Sequence, residues 1–397
     1  MIFLQVIFWT AIFLICYTYL LFPSLLHLLA LRRKPGERLD RDEHLLPAPG
    51  GLPFLSVIIA AFNEEGVIEA KIRSVLEADY PADRLEVLVG SDASTDRTNE
   101  ILTGMKERHP LIRVSLFDRR TGKPGVVNRL AALSRGEILV ITDANVMIES
   151  NTFMELAGSF RHPDIGLVDT RMINTGLKID GISQQERFYI NREVRIKHHE
   201  SLLWGAMMGP FGGCYAVRKS VYQPVPDHFL VDDFYVNMAV LKKGFLCISN
   251  VNALVYEDVS NDLREEFRRK KRISAGNFQN LARFGSMLFS RRAGIAFCFL
   301  SHKVIRWTVP FLVLVTLGSS IALGMDDPLY LSLAMVQAVI LLLPVIDYFL
   351  RKFKIHHIPL RFVSHFVLMN LALLAGFIRY IGGIKSNVWQ PTRRNQD

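Results

Sequence analysis

The chain has 397 residues, half of them hydrophobic and 21% charged, with a formal net charge of +9, which is enough for one globular domain beside several membrane spans. The positive excess gathers next to apolar segments, at Arg268 to Arg272, Arg291 and Arg292, and Arg351 to Lys354; attraction to anionic lipid accounts for it, and no nucleic acid partner is implied. Cys16, Cys214, Cys247 and Cys298 are scattered without CxxC or CxxH spacing, so neither a zinc site nor a disulfide framework is indicated.

Residues 1–31 form the first element. Ile2 to Leu31 carries no formally charged side chain, and about 20 apolar residues suffice to cross a bilayer. Its basic cluster, Arg32, Arg33 and Lys34, comes after the apolar run, whereas a cleavable leader has basic residues in front. By the positive-inside rule, the chain beyond this cluster faces the cytoplasm. Residues 32–53 read as an irregular linker rich in Pro and Gly.

A catalytic domain is expected over 54–266. Phe54 to Ala60 is short, apolar and β-branched, as in a strand buried on both faces. Ile68, Ile72, Val75 and Leu76 then recur at helical spacing. The alternation continues with a strand at Glu86 to Gly90, a helix near Arg97 to Arg108, a strand at Val114 to Leu116, a helix near Val126 to Leu133 and a strand at Glu137 to Thr142. Such alternation predicts an α/β domain on a mostly parallel sheet. Ligands then bind at the carboxyl ends of the strands. Beyond Met172 the pattern loosens, with a charged helix over Ile182 to Glu200, a Gly-rich segment Gly209 to Cys214, and a helix opening at Asp232.

Residues 267–306 are basic and amphipathic, suited to a membrane surface. Residues 307–384 hold three apolar segments, Trp307 to Leu323, Leu329 to Leu350 and Phe362 to Ile384, before a basic tail at 385–397. Three crossings from the cytoplasm would leave the tail outside. Yet both the loop Arg351 to Arg361 and the tail, with Lys385, Arg393 and Arg394, are basic. Either one segment is re-entrant or Ala293 to Arg306 adds a crossing.

The strand-end loops carry the polar groups. Phe62-Asn63-Glu64 comes after the first strand and Ser91-Asp92-Ala93-Ser94 ends the second. Phe62 can pack on a base while an acidic strand end accepts from a nucleoside, although Ser94 and Asp96 can equally cap the next helix. Asp143 and Asn145 end the fourth strand with oxygens suited to a hard divalent cation, or serve as turn residues. Asp232 and Asp233 open a helix, where carboxylates complement the dipole or act as a base. Lys123 in Thr121-Gly-Lys-Pro-Gly125 can meet phosphate or merely mark a turn. Trp389, Arg393 and Arg394 anchor the tail at the interface or close over a site.

In order, Phe62-Asn63-Glu64, Ser91-Asp92, Thr121-Gly-Lys123 with Asn128, Asp143-Ala-Asn145, Gly212-Gly-Cys-Tyr-Ala-Val-Arg218, Asp232-Asp233 and Arg269-x-x-Arg272 resemble the membrane-bound family 2 glycosyltransferases, which include cellulose, hyaluronan and poly-N-acetylglucosamine synthases. The resemblance implies a GT-A-like nucleotide-sugar-binding domain flanked by transmembrane helices in the cell (inner) membrane. It implies inverting transfer of a hexosyl or N-acetylhexosaminyl group, from a UDP-sugar foremost, to a saccharide or lipid-linked acceptor, in polysaccharide or glycoconjugate biosynthesis. By the same resemblance Phe62, Asn63, Glu64, Asp92, Lys123, Asp143, Arg269 and Arg272 hold the donor, and Mg²⁺ or Mn²⁺ sits on Asp143 and Asn145. Asp233, beside Asp232, is the base; Gly212, Gly213, Cys214 and Tyr215 line the acceptor path.

Three positions depart from the family pattern: Asn145 in place of an Asp, Val231-Asp232 in place of Thr-Glu, and Arg269-Lys-Lys-Arg-Ile273 without the family's Gln and Trp. The missing Trp would otherwise help hold an acceptor sugar, so single-sugar transfer to a lipid carrier is the alternative to polymerisation. A nucleotide-binding subunit without catalysis, serving an export complex, is the third reading. A transporter is disfavoured because the apolar segments hold few ionisable groups beyond His27, Asp347, His365 and Arg379.

Overall fold

A computed structural model describes residues 1–32, 51–175, 183–258, 263–353, 355, 357–384 and 387. Most of the 32–53 linker, together with His356, Lys385, Trp389, Arg393 and Arg394, therefore lies outside the described residues. The chain divides into a helical unit (1–28, 178–191 and 261–383) and a sheet-bearing unit (29–177, 192–260 and 384–397).

In chain order the elements begin with α1 (Ile2–Cys16) and α2 (Phe22–Leu31), joined by a π-helical turn. The alternating region gives β1 (Leu55–Ala61), α3 (Ile68–Leu76), β2 (Leu85–Asp92), α4 (Thr98–Arg108), β3 (Ile112–Phe117), α5 (Gly122–Leu133) and β4 (Ile138–Asp143). Next come β5 (Val146–Ile148), α6 (Thr152–Ser159), β6 (Ile165–Thr175), α7 (Ser183–Trp204), β7 (Cys214–Arg218), α8 (Asp232–Lys242) and β8 (Leu246–Asp258). The last helices are α9 (Leu263–Phe284), α10 (Ala293–Cys298), α11 (Ile305–Leu323), α12 (Pro328–Lys352) and α13 (Ile358–Ile381).

The sheet-bearing unit has strand order β3-β2-β1-β4-β7-β6-β8-β5. β1 lies between β2 and β4, parallel to both, and all seven of its residues are buried. This is why it reads as an unbroken apolar run. The expectation of a mostly parallel sheet needs correction beyond β4, since β7 runs antiparallel to β4 and β6, and β5 antiparallel to β8. The sheet is mixed, since β6 and β8 pair in parallel again, and β7 and β8 come from the part that the sequence pattern left loose. Ile59, Val89, Leu102, Val140, Phe153 and Val168 belong to the core packed on it. β1, β2 and β4 run in one direction, so Ala61, Asp92 and Asp143 finish at one edge.

Among the described residues, four helical stretches are long and apolar enough to cross a membrane: Ile2–Leu31, Ala293–Leu323, Pro328–Lys352 and Ile358–Ile381. Ala293 to Arg306 is not a separate crossing. It continues through a π-helical turn into α11 and extends the span that the sequence began at Trp307. The basic amphipathic element is α9, which starts before residue 267 and ends at Phe284. Within the helical unit α9 and α13 run side by side and parallel: Ser274 donates to the Leu373 carbonyl, while Phe278 packs on Phe377 and Tyr380.

Candidate active site

At the carboxyl edge of the sheet the loops after β1 and β2 are stitched together. Asn63 adopts a left-handed backbone, φ 52°. Its side chain accepts from the Thr95 N–H at 2.8 Å, and its own N–H donates to Ser94 Oγ at 3.1 Å. Glu64 N–H donates to Thr98 Oγ1 at 2.9 Å. Asp96 accepts from the N–H groups of Thr98 and Glu65, so it does serve the start of α4, whereas Ser94 braces the neighbouring loop.

Asp92 is fully buried. Oδ1 accepts from the Thr121 N–H at 2.7 Å and its hydroxyl at 3.1 Å, and Oδ2 from the Gly122 N–H at 2.9 Å and Arg120 Nε at 3.1 Å. The Arg120 guanidinium also lies 3.2 Å from the centroid of the Phe62 ring. Asp92 thus holds the 120–122 loop in place, while Phe62 and Arg120 make a stacked aromatic and cationic pair. Gly122 has φ +81°, and the Asn387 side chain occupies the space where a Cβ would stand.

The acidic end is assembled from three elements. Lys123, in the first turn of α5, places its ammonium 2.6 Å from Asp143 Oδ1, 3.9 Å from Asp232 Oδ2 and 3.3 Å from the Gly212 carbonyl. Burial alone would lower Lys123, but Asp143, Asp232 and Asp233 outweigh it and the ammonium is held above its usual range. Asp233 Oδ1 accepts from the Phe234 N–H at 2.7 Å. Its carboxyl is pushed up to about 7, by burial first and then by the adjacent Asp232, with Lys123 pulling the other way. Asp232 Oδ2 is buried and has no hydrogen-bond partner among the described residues. Such an oxygen costs roughly 1–3 kcal/mol until something donates to it.

Gly212 sets the approach to this pair. Its φ is +80°, and a Cβ there would fall 2.5 Å from Asp233 Oδ2; both demands select glycine. Gly213 accepts through its carbonyl from the Asp143 N–H at 2.8 Å and Thr142 Oγ1 at 3.0 Å. Cys214 and Tyr215 lie wholly buried on β7. Burial pushes the Cys214 thiol up to about 11 and the Tyr215 phenol well above its usual range. Of the four expected acceptor-path residues, Gly212 is therefore the one seen directly against the acidic pair.

Asn145 is buried and its amide donates to Glu257 on β8 at 2.9 Å. Among the described residues, no three His, Cys, Asp or Glu side chains are grouped to hold a metal unaided. The one-third-exposed Asp143 carboxylate and the unsatisfied Asp232 oxygen nonetheless fit a divalent cation of the kind that takes most of its ligands from substrate phosphates and water. Arg269 and Arg272 stand on α9 in the helical unit, Arg269 paired with the buried Glu266 at 3.6 Å.

Sequence reasoning missed Lys71, Arg120, Glu257 and Asn387. Lys71 was the most visible of them, since it falls on the buried stripe of α3 with Ile68, Ile72 and Val75. Burial pushes its ammonium down to about 8, against the pull of Cys214 and Asp143.

A sheet whose parallel strands end in a nucleoside-type loop and a carboxylate cluster is a GT-A-like fold. Over 95% of its length the chain superposes on 99% of the mannosyltransferase PcManGT from Pyrobaculum calidifontis, solved with GDP-Man and Mn²⁺, at a TM-score of 0.70 and 21% identity. Residues 56–225, under half of the chain, match glycosyl transferase family 2. Curated relatives include the beta-monoglucosyldiacylglycerol synthase of Nostoc sp., 32% identical over 124 residues, and the probable glycosyltransferase YdaM of Bacillus subtilis, 24% identical over 253. These alignments take in 31% and 60% of this chain, and 26% and 58% of the respective relatives. The chain thus spans about a quarter of the length of the first relative.

Proposed function

We propose that the chain is a membrane-bound glycosyltransferase that moves a sugar from a nucleotide-sugar to a saccharide or lipid-linked acceptor by an inverting single displacement at the cytoplasmic face. The observation that carries this reading is Asp233, a carboxyl brought near neutrality by burial and by Asp232, beside the Lys123–Asp143 pair. A group of that pKa takes a proton from an acceptor hydroxyl near pH 7 and releases it afterwards.

In this reading Phe62 and Arg120 face the base, with Asp92 fixing Arg120 and the 120–122 loop. Asp143, with Asn145 behind it, takes Mg²⁺ or Mn²⁺, which supplies charge neutralisation for the diphosphate when bound. Lys123 holds the negative charges apart from solvent and meets the phosphate. A UDP-sugar is the donor tested first, and GDP-sugars come next because PcManGT was solved with GDP-Man.

Single-sugar transfer to a lipid is the second reading. Ile273 stands where a processive synthase has its Trp, and the Nostoc relative bears the name of a synthase that makes a monoglucosyl lipid. Incubation of the purified protein with UDP- and GDP-sugars, Mn²⁺ and either lipid or oligosaccharide acceptors separates the two by product mass. Asp233→Asn is expected to lose about 10²–10⁴-fold in turnover while still binding nucleotide. Equal turnover by this variant and the wild type would remove Asp233 as the base.

A further inference from the structure

Lys71 is a cation in the wrong place for a core. It lies on the buried stripe of α3 and is 0% exposed, where an aliphatic residue would cost nothing in desolvation. Burying an ammonium is expensive unless hydrogen bonds compensate. Two are present, one to Thr142 Oγ1 at 2.9 Å and one to the Val146 carbonyl. These two acceptors are the residues on either side of Asp143-Ala144-Asn145. Three positions along α3, Ser74 Oγ accepts from the Ile148 N–H at 3.3 Å, so the helix grips both the turn and the strand that leaves it. Thr142 Oγ1 in turn donates to the Gly213 carbonyl at 3.0 Å, which links the same contact to the backbone next to Gly212.

We infer that Lys71 is a positioning residue for the donor site: its ammonium pins both ends of the 142–146 turn and so fixes where Asp143 and Asn145 can hold a divalent cation and diphosphate. This rests on the glycosyltransferase reading for its ligand, but the mechanical part does not. An ammonium suits the task because its donors radiate from one point and can reach two oxygens at once. A methionine fills nearly the same volume without any donor, leaving both oxygens to be satisfied by a relaxed turn.

The test uses the full-length protein in detergent or nanodiscs with Lys71→Met and, as the variant that keeps a positive charge and several donors, Lys71→Arg. Hydrogen–deuterium exchange of peptides covering 142–148 is expected to quicken at least tenfold in Lys71→Met, with the rest of the sheet unchanged and Lys71→Arg closer to wild type. Nucleoside diphosphate binding titrated with Mn²⁺ is expected to need at least tenfold more metal, and the donor KM to rise more than kcat falls. Unchanged exchange over 142–148 overturns the inference, as does a variant whose melting temperature falls with metal and donor dependence intact. If the wild type binds no UDP or GDP with metal, the functional reading fails, and the exchange experiment alone still decides whether Lys71 fixes the turn.

Discussion

At the residue scale the site is governed by how readily Asp233 keeps or loses a proton. With Asp233 pushed up to about 7, the form able to accept a proton from the acceptor is scarce at pH 5 and dominant at pH 8.5. The initial rate at saturating donor should therefore rise with pH through a midpoint near that value. Because burial is the larger cause and Asp232 the second, Asp232→Asn should move the midpoint to more acid pH without returning it to the ordinary carboxylate value. A pH–rate profile of both proteins checks this, and a midpoint that stays put would show that Asp232 does not raise Asp233. Gly212→Ala tests the same carboxylate sterically. It strains a backbone at φ +80° and drives a methyl group toward Asp233 Oδ2, at a strain of about 1–3 kcal/mol. Turnover should fall at least tenfold, with nucleotide affinity measured by calorimetry little altered.

At the scale of elements, the segment before Gly212 is held by a charge pair that no sequence pattern announced. Asp169 on β6 and Lys197 on α7 meet at 2.6 Å, both almost fully buried. The Lys197 ammonium lies 3.3 Å from the Phe211 ring centroid, and Asp169 Oδ1 accepts from the Phe211 N–H. Burial keeps the Asp169 carboxyl raised despite Lys197. Lys197→Met should cost about 3–5 kcal/mol by stranding that carboxylate, and Asp169→Leu combined with Lys197→Met should regain much of it. Thermal denaturation of the single and double variants is the measurement, and equal melting temperatures would argue against a stranded charge. The contrast with β1 explains what was legible. Leu55 to Ala61 is buried through its own composition, and Asp92, Asp143 and Asp233 were visible because strand ends and helix starts are marked locally by a change of polarity. Lys197 looks like any lysine on a charged helix, Lys71 betrays itself only by its place in an apolar stripe, and Asn387 lies more than 250 residues from Gly122 in sequence. β6 to β8 pair across long separations, so their register depends on partners that no local window contains.

At the scale of the whole molecule, the conflict between charge and crossing number that the sequence raised is removed if α13 does not cross. The first span ends at the basic cluster Arg32 to Lys34, Ala293–Leu323 leads away from that side, and Pro328–Lys352 returns with Arg351 and Lys352 in its last turn. The positive-inside rule then places the start of α13 in the cytoplasm. The same rule places its other end on that side too, because the tail carries Lys385, Arg393 and Arg394. A helix of 24 residues is about 36 Å long, enough for one crossing and far too short to cross and return. α13 is therefore expected to lie along the cytoplasmic interface beside the amphipathic α9, its parallel partner, with Arg361, Ser364 and Asn370 on its buried side. Three crossings with a cytoplasmic tail are then expected. Green fluorescent protein fused after Asp397 should fluoresce and alkaline phosphatase fused there should be inactive, whereas alkaline phosphatase inserted at Asp326–Asp327 should be active. Phosphatase activity at the tail would show that α13 crosses after all, and that its apolar length outweighs the basic residues on either side of it.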